Sequence, residues 1–230
     1  MLRLARCIST FESRRFALIL RPRMSAFVLY GAGGHARVVL DIARAAGLEP
    51  DWCIDDQPKA RHMDGVPILG SDDARWTGLV GFRFLVSIGD NSARSRVYAR
   101  LVQRGGVPRS LIHPSAWVSP RAAIGVGTVV MAGAVVNAGV RVGSNAILNT
   151  GCSIDHDCMV ADHVHICPGV RLAGDVHVGE LSLLGIGTCV IPGIRIGGGS
   201  CVGAGSVVVR DVPSDSCAYG NPARVRTQTT

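Results

Sequence analysis

The sequence predicts a chain in two parts, a small α/β unit of Rossmann-like βαβ type followed by an all-β parallel β-helix of hexapeptide repeats. Three observations carry this. From Ile112 to Val208 an aliphatic residue stands at every sixth position, seventeen times without interruption. Upstream, the apolar run AFVLY leads into GAGG and then a helical pattern, the order of a strand, a glycine turn and a crossover helix. Aromatic residues make up only 5% of the chain against 29 glycines, so the core must be narrow and filled by small and branched side chains.

Residues 1–24 form a leader expected to lie outside the fold, with the natural start at Met24. Its first 23 residues carry six Arg and one Glu, which leaves only +2 of the +7 net charge for the remainder. The Arg-rich, acid-poor composition would also suit an organelle-targeting peptide, but its apolar run, FALIL, is too short for a secretory segment or a membrane span. No basic stripe interleaved with aromatics follows, so neither nucleic acid nor membrane is expected as a partner.

Residues 25–110 read as the βαβ unit. AFVLY is a buried strand, GAGGHARVVLDIARAAG a glycine turn and a helix ending at Gly47, and DWCIDD a second strand closing on two carboxylates. FRFLVSIG is a later strand, and DNSARSRVYARLVQRGG a helix capped by Asp90 or Asn91 and stopped at Gly105. Gly31, Gly33 and Gly34 can bring backbone N–H groups and a helix N-terminus up to a phosphate, or can serve tight packing alone. Asp55 and Asp56 are candidate acceptors for ribose, base or sugar hydroxyls, or else a solvated turn. His35, at the helix start, would lie near substrate phosphates or face solvent. About 85 residues hold one mononucleotide-binding half, so a nucleotide or nucleotide sugar fits better than a dinucleotide.

Residues 111–213 form the β-helix and residues 214–230 a C-terminal tail. Period six gives each hexad one short strand and a turn, three hexads a triangular coil, and seventeen hexads between five and six coils. Four positions after the aliphatic residue stands a small or branched one, as at Ala122, Thr128, Ala134, Cys152, Val164, Thr188 and Ser206, which suits a second inward site. An α-helix cannot keep one face apolar at this period, and a β-sandwich would alternate with period two.

The segment IDHDCMVADHVHICPGV, residues 154–170, concentrates three His and three acidic residues. His156 and Gly174 are eighteen residues apart, one full coil, and both fall on turn positions, so they are expected to stack on one external edge with strands about 4.8 Å apart. Cys158 falls on the inward small site. The eight cysteines show no CxxC pair and read as reduced, buried small hydrophobes of a cytoplasmic protein.

Taken together, GAGGHARVVLDIA (31–43), IDD (54–56), IGDNSAR (88–94), the hexapeptides, DHDC with HVHICPG, and YGNPAR (219–224) resemble the bacterial sugar acyltransferases. That group includes the UDP- and GDP-4-amino-sugar N-acetyltransferases and the sialic acid O-acetyltransferases. The resemblance implies a left-handed β-helix, a homotrimer with active sites between subunits, and acetyl-CoA as co-substrate without a metal. It implies His156 as general base and Asp157, a Glu in some members, as its partner; Asp155 is the other candidate for orienting the ring. It also implies that His165 contacts acetyl-CoA, that the Gly174 N–H meets the thioester carbonyl, and that Ile186 and Ala204 line the pantetheine groove. The activity implied is N-acetylation of the 4-amino group of a nucleotide-linked amino-deoxy sugar in polysaccharide biosynthesis, with sugar O-acetylation as the alternative. A remoter alternative is a γ-class carbonic anhydrase-like metal site among His156, His163, His165 and His177, against which stands the missing His-x4-His spacing.

Overall fold

A computed structural model of the chain describes residues 26–226, so the leader expected at residues 1–24 lies outside the described residues. The N-terminal sheet starts with β1 (Phe27–Tyr30), buried along its length, which feeds the glycine turn and α1 (Gly34–Ala45). One face of that helix, Ala36, Val39, Leu40, Ile42 and Ala43, is buried, as its apolar spacing requires. β2 (Trp52–Asp55) follows. β3 (His62–Met63), β4 (Val66–Gly70) and the short α2 (Ala74–Thr77) come next, in a stretch for which the sequence pattern predicts no element. Pro67 obscures β4 in the sequence, and in the structure it pairs only with His62 of the two-residue β3, where little of the ladder is lost.

β5 (Arg83–Val86), α3 (Asn91–Gln103) and β6 (Val107–Pro108) complete the unit. The Asp90 carboxylate caps α3 by accepting the Ala93 N–H at 2.7 Å. The sheet order is β3-β4-β2-β1-β5-β6, parallel except for β3. Strands leave β1 on one side and return on the other, so a crevice opens at the carboxyl ends of β1 and β5.

From β7 (Leu111–Ile112) to β23 (Val207–Val208) two-residue strands recur every six residues and pair in parallel with the strand eighteen residues on. They stack into the three faces of a left-handed β-helix. Face 1 carries Leu111, Val129, Ile147, His165, Leu183 and Cys201, face 2 runs from Trp117 to Val207, and face 3 from Ala123 to Arg195. The second residue of each strand points inward. Thr128, Ala134, Cys152, Cys158, Val164, Thr188 and Ser206 fill the small inward site and are fully buried. Ile112 departs from the expected burial at 40% exposed, because no coil lies before it.

The tail expected from residue 214 adds β24 (Cys217–Gly220), paired to the Cys201 strand, and β25 (Ala223–Arg226), antiparallel to β24. Four cysteines, Cys53, Cys152, Cys158 and Cys167, are buried as expected. Cys189 and Cys201 are exposed, since they take the outward position ahead of the inward aliphatic residue. Cys7 lies outside the described residues. Among the described residues no helix is long and apolar enough to cross a membrane.

The N-terminal unit rests on face 1 and on the edge between faces 3 and 1. Leu111, Val129, Met131 and Ile147 join the apolar cluster under α1. Arg94, 1% exposed, reaches across with Nε on Asn145 O at 2.9 Å and Nη2 on His163 O at 2.7 Å, while Nη1 returns to Ile88 O and Gly89 O at 3.2 and 3.1 Å. Asn91 accepts from Arg94 and donates to Leu181 O and Ser182 O. Burial pulls the Arg94 pKa down to about 10, and the ring of carbonyl dipoles is what makes the buried guanidinium tolerable.

Candidate active site

The crevice at the end of β1 is a cavity of about 330 Å³ lined by Tyr30, Gly31, Ala32, Gly33, Gly34, His35, Asp55, Asp56, Ser87, Ile88 and Gly89. All five residues expected to meet the acceptor, Gly33, Gly34, His35, Asp55 and Asp56, are brought together here. The three glycines differ in kind. Gly31 has φ +115°, and a Cβ there would meet Ser87 O at 2.8 Å, so the fold itself demands glycine. Gly33 and Gly34 have open space where a side chain would go. No side chain caps α1 at Gly33, so its first N–H groups and dipole face the cavity unsatisfied.

The carboxylates divide their duties. Asp55 accepts the Ala32 and Gln57 N–H groups, each at 2.9 Å, and so holds the glycine turn in shape. Asp56 accepts the Tyr30 hydroxyl at 2.5 Å, and Arg100 Nη2 contacts both groups. Burial opposes the Asp56 charge, but hydrogen bonds from Tyr30 and Ser71 and the Arg100 charge outweigh it and hold the carboxyl below its usual range. His35 is desolvated and near the Arg94 charge, which pushes its pKa down to about 4, and its Nε2 is buried with no partner. His165 lies 6.3 Å from it ring to ring, bonded to Asn149 at 3.0 Å and to Gly89 O at 3.3 Å, and burial lowers its pKa to about 4 as well. The structure therefore places His165 on face 1, behind His35 and Gly89 of this cavity, and away from the edge that carries His156.

His156 stands on the edge between faces 2 and 3. As the one-coil spacing predicts, it stacks on Gly174: Asp175 N–H donates to His156 O at 3.0 Å, and a Cβ on Gly174 would fall 2.5 Å from the ring Cε1. Nδ1 lies 3.0 Å from Asp157 Oδ2, whereas Asp155 accepts the His156 backbone N–H at 2.8 Å and an Asn137 amide proton at 3.1 Å. Of the two acids, Asp157 meets the ring. Its hydrogen bond, with the Asp155 and Asp175 charges, raises the His156 pKa against little burial. The Gly174 N–H carries no hydrogen bond among the described residues, while its carbonyl accepts from Gly193.

Cys158 turns into the core, donating to Ala173 O at 3.1 Å, and burial pushes its thiol up to about 11. The edge is flanked on face 2 by a cleft of about 400 Å³ containing Asp155, Arg171 and Cys189, and on face 3 by one of about 750 Å³ containing Arg141, Met159, His177 and Arg195. Ile186, 61% exposed, and Ala204 share the remaining edge, between faces 1 and 2. His156, His163, His165 and His177 are spread over two edges and two faces, and no group of three or more His, Cys, Asp or Glu spaced to hold a metal occurs among the described residues.

The sequence reading did not single out Arg94 as the link between the two halves, nor Tyr30 and Arg100 at the cavity rim. A buried Arg without an acidic partner leaves no spacing signal.

A histidine turned outward on a β-helix edge, backed by a carboxylate and stacked on a glycine with a free N–H, is the arrangement that the resemblance to the hexapeptide-repeat sugar acyltransferases implies. Comparison with known proteins carries this further. Residues 26–101 match the PglD N-terminal domain model. A crystal structure of a point mutant of perosamine N-acetyltransferase from Caulobacter crescentus, in complex with CoA and GDP-perosamine, is 42% identical with a TM-score of 0.84, over 89% of this chain and 98% of that one. The acetyltransferase domain of PglB from Neisseria gonorrhoeae with acetyl coenzyme A is 36% identical with a TM-score of 0.81, over 87% and 98%. GDP-perosamine N-acetyltransferase of Escherichia coli O157:H7 is 25% identical over 87% of this chain and 96% of its own length. Putative acetyltransferases of Staphylococcus aureus are 46% identical over 61 residues, and the chain spans only about a third (31%) of their length. The chain belongs to the family of hexapeptide-repeat sugar acyltransferases.

Proposed function

We propose that the protein is an acetyl-CoA-dependent N-acetyltransferase that acts on the 4-amino group of a nucleotide-linked amino-deoxy sugar, with a GDP-linked sugar as the first candidate. The observation that carries the chemistry is the His156–Asp157 dyad stacked on Gly174. The acceptor reacts as the free amine: as its lone pair attacks the thioester carbonyl, His156 Nε2 takes one of its N–H protons while Nδ1 stays on Asp157. The C–N bond forms, the oxyanion gathers on the Gly174 N–H, and the C–S bond breaks. The proton held by His156 then goes to the departing CoA thiolate. Cys158, buried and turned inward, takes no part.

The acceptor is read from the other cavity: its uncapped helix N-terminus and bare Gly33 and Gly34 suit a diphosphate, and Asp56 suits a hydroxyl or ring N–H donor. The relatives bound to GDP-perosamine favour GDP over UDP. That cavity opens beside face 1, whereas His156 occupies the edge opposite face 1. One chain alone therefore keeps acceptor and base apart, which supports an assembly, a homotrimer in our reading, in which one copy's cavity serves another copy's base. Ile186 and Ala204, on a third edge, are then offered to acetyl-CoA held between copies. The reading includes a cytoplasmic location, where both substrates arise, a reaction without a metal, and a product that glycosyl transfer into a polysaccharide consumes.

The test is a thiol-release assay with acetyl-CoA against GDP- and UDP-linked 4-amino-4,6-dideoxy sugars, sialic acid and no acceptor. Release with one nucleotide amino sugar is expected. Release with sialic acid alone would replace the reading by O-acetylation, and silence with all of them would overturn it.

A further inference from the structure

The geometry points to Gly139 as a positioning residue that keeps the Asp157 carboxylate against His156 by leaving the space beneath it empty. This rests on the reading of His156 as the base. Asp157 has φ +61°, and its N–H donates to Ala138 O at 3.1 Å, so its backbone is tied to the coil before it. From there Oδ2 reaches His156 Nδ1, and Oδ1 occupies the place where a side chain on Gly139 would stand. A Cβ on Gly139 would overlap Oδ1 and press on Cγ at 3.4 Å.

The carboxylate is 69% exposed, and among the described residues the imidazole is the only side chain that holds it. It is the free end of a short side chain, so a methyl at 139 would be accommodated by swinging the carboxylate rather than by moving backbone. The fold would survive and the dyad would not. Left-handed backbone does not by itself demand glycine at this turn position, since Asn145, His163, Asp175 and Leu181 hold it with φ between +53° and +61°. Gly133, with φ +67° at an equivalent turn position, has nothing nearer than 3.9 Å to where its Cβ would be. The arrangement recurs at Gly199 beneath Asp215, away from any histidine, so the dyad draws on a turn geometry that the coil supplies. With Gly174 bare beside the ring, the dyad lies in a slot between two glycines, one in the coil before and one in the coil after.

The experiment compares Gly139→Ala with Gly133→Ala, which shares the backbone strain without the overlap. His156 is titrated by NMR, its signal assigned by its loss in His156→Asn, and kcat and KM are measured in parallel. The groups facing the ring are Asp155, Asp157 and Asp175. Gly139→Ala is expected to lower the His156 pKa towards the ordinary histidine value and kcat about tenfold, with both KM values within about twofold. Gly133→Ala is expected to change neither. Combined with Asp157→Asn, Gly139→Ala should cost nothing further, because it acts through that carboxylate. If Gly139→Ala folds poorly, Gly139→Asn keeps the added Cβ and tolerates positive φ better. An unchanged His156 titration, or losses that add in the double variant, would overturn the proposal. The titration needs no turnover, so a failure of the transferase reading would register in kcat alone.

Discussion

His156 and the pair His35 and His165 show one residue type put to opposite use in two regions of the chain. His35 and His165 are pressed between the N-terminal sheet and face 1, without a carboxylate, and are held neutral down to about pH 4. His156 stands in water among Asp155, Asp157 and Asp175, which raise its affinity for a proton. The difference teaches that carboxylates and exposure raise a histidine's affinity for a proton, as the proposed role of His156 requires, while burial without a carboxylate keeps the other pair neutral.

The largest effect that would break this comparison is on chemistry. His156→Asn is expected to lower kcat about 10²- to 10⁴-fold while leaving the thermal unfolding profile in place. A His35 variant with an equal loss of kcat would show that both regions supply bases. Next comes Gly33→Asp. The site has room for a side chain and φ is −86°, so the fold should hold, but the carboxylate would repel a diphosphate at the helix end. We expect the KM for the nucleotide sugar to rise more than about tenfold, with the KM for acetyl-CoA unchanged.

The two regions also differ in pH linkage. For His35 and His165 the folded pKa of about 4 lies below the unfolded value of about 6.5, so the unfolded state takes up more protons between the two. Their contribution to stability is full above about pH 6.5 and is lost as pH falls towards 4. Denaturant midpoints should drop across that window, and less steeply in His35→Gln. His156 has the opposite sign, its raised pKa favouring the folded state more at low pH. The smallest effect is reserved for Cys158→Ala, which should keep kcat within about twofold because the thiol faces the core. A larger loss would reopen covalent catalysis.

Much of this was legible in the residues themselves. The period of six from Ile112 to Val208 set the strands, the inward residues and the stacking of His156 on Gly174, because in a coil without insertions register follows from counting. The glycine turn and IDD located the cavity at the end of β1, because a strand, turn and helix are local. Cys158 was likewise placed by its position in the hexad. What counting could not supply is which face of the prism the N-terminal unit covers. That depends on the buried Arg94 finding carbonyls at 88, 89, 145 and 163, contacts far apart in sequence and without a motif. It decided that His165 lies beside His35, and that the cavity and His156 sit on opposite sides of one chain; that Asp157 rather than Asp155 meets the imidazole follows instead from the local turn, where Asp157 has φ +61°. Periodicity fixes a side chain's direction within its own coil; burial, and with it proton affinity and access to substrate, depends on what packs against that coil from elsewhere.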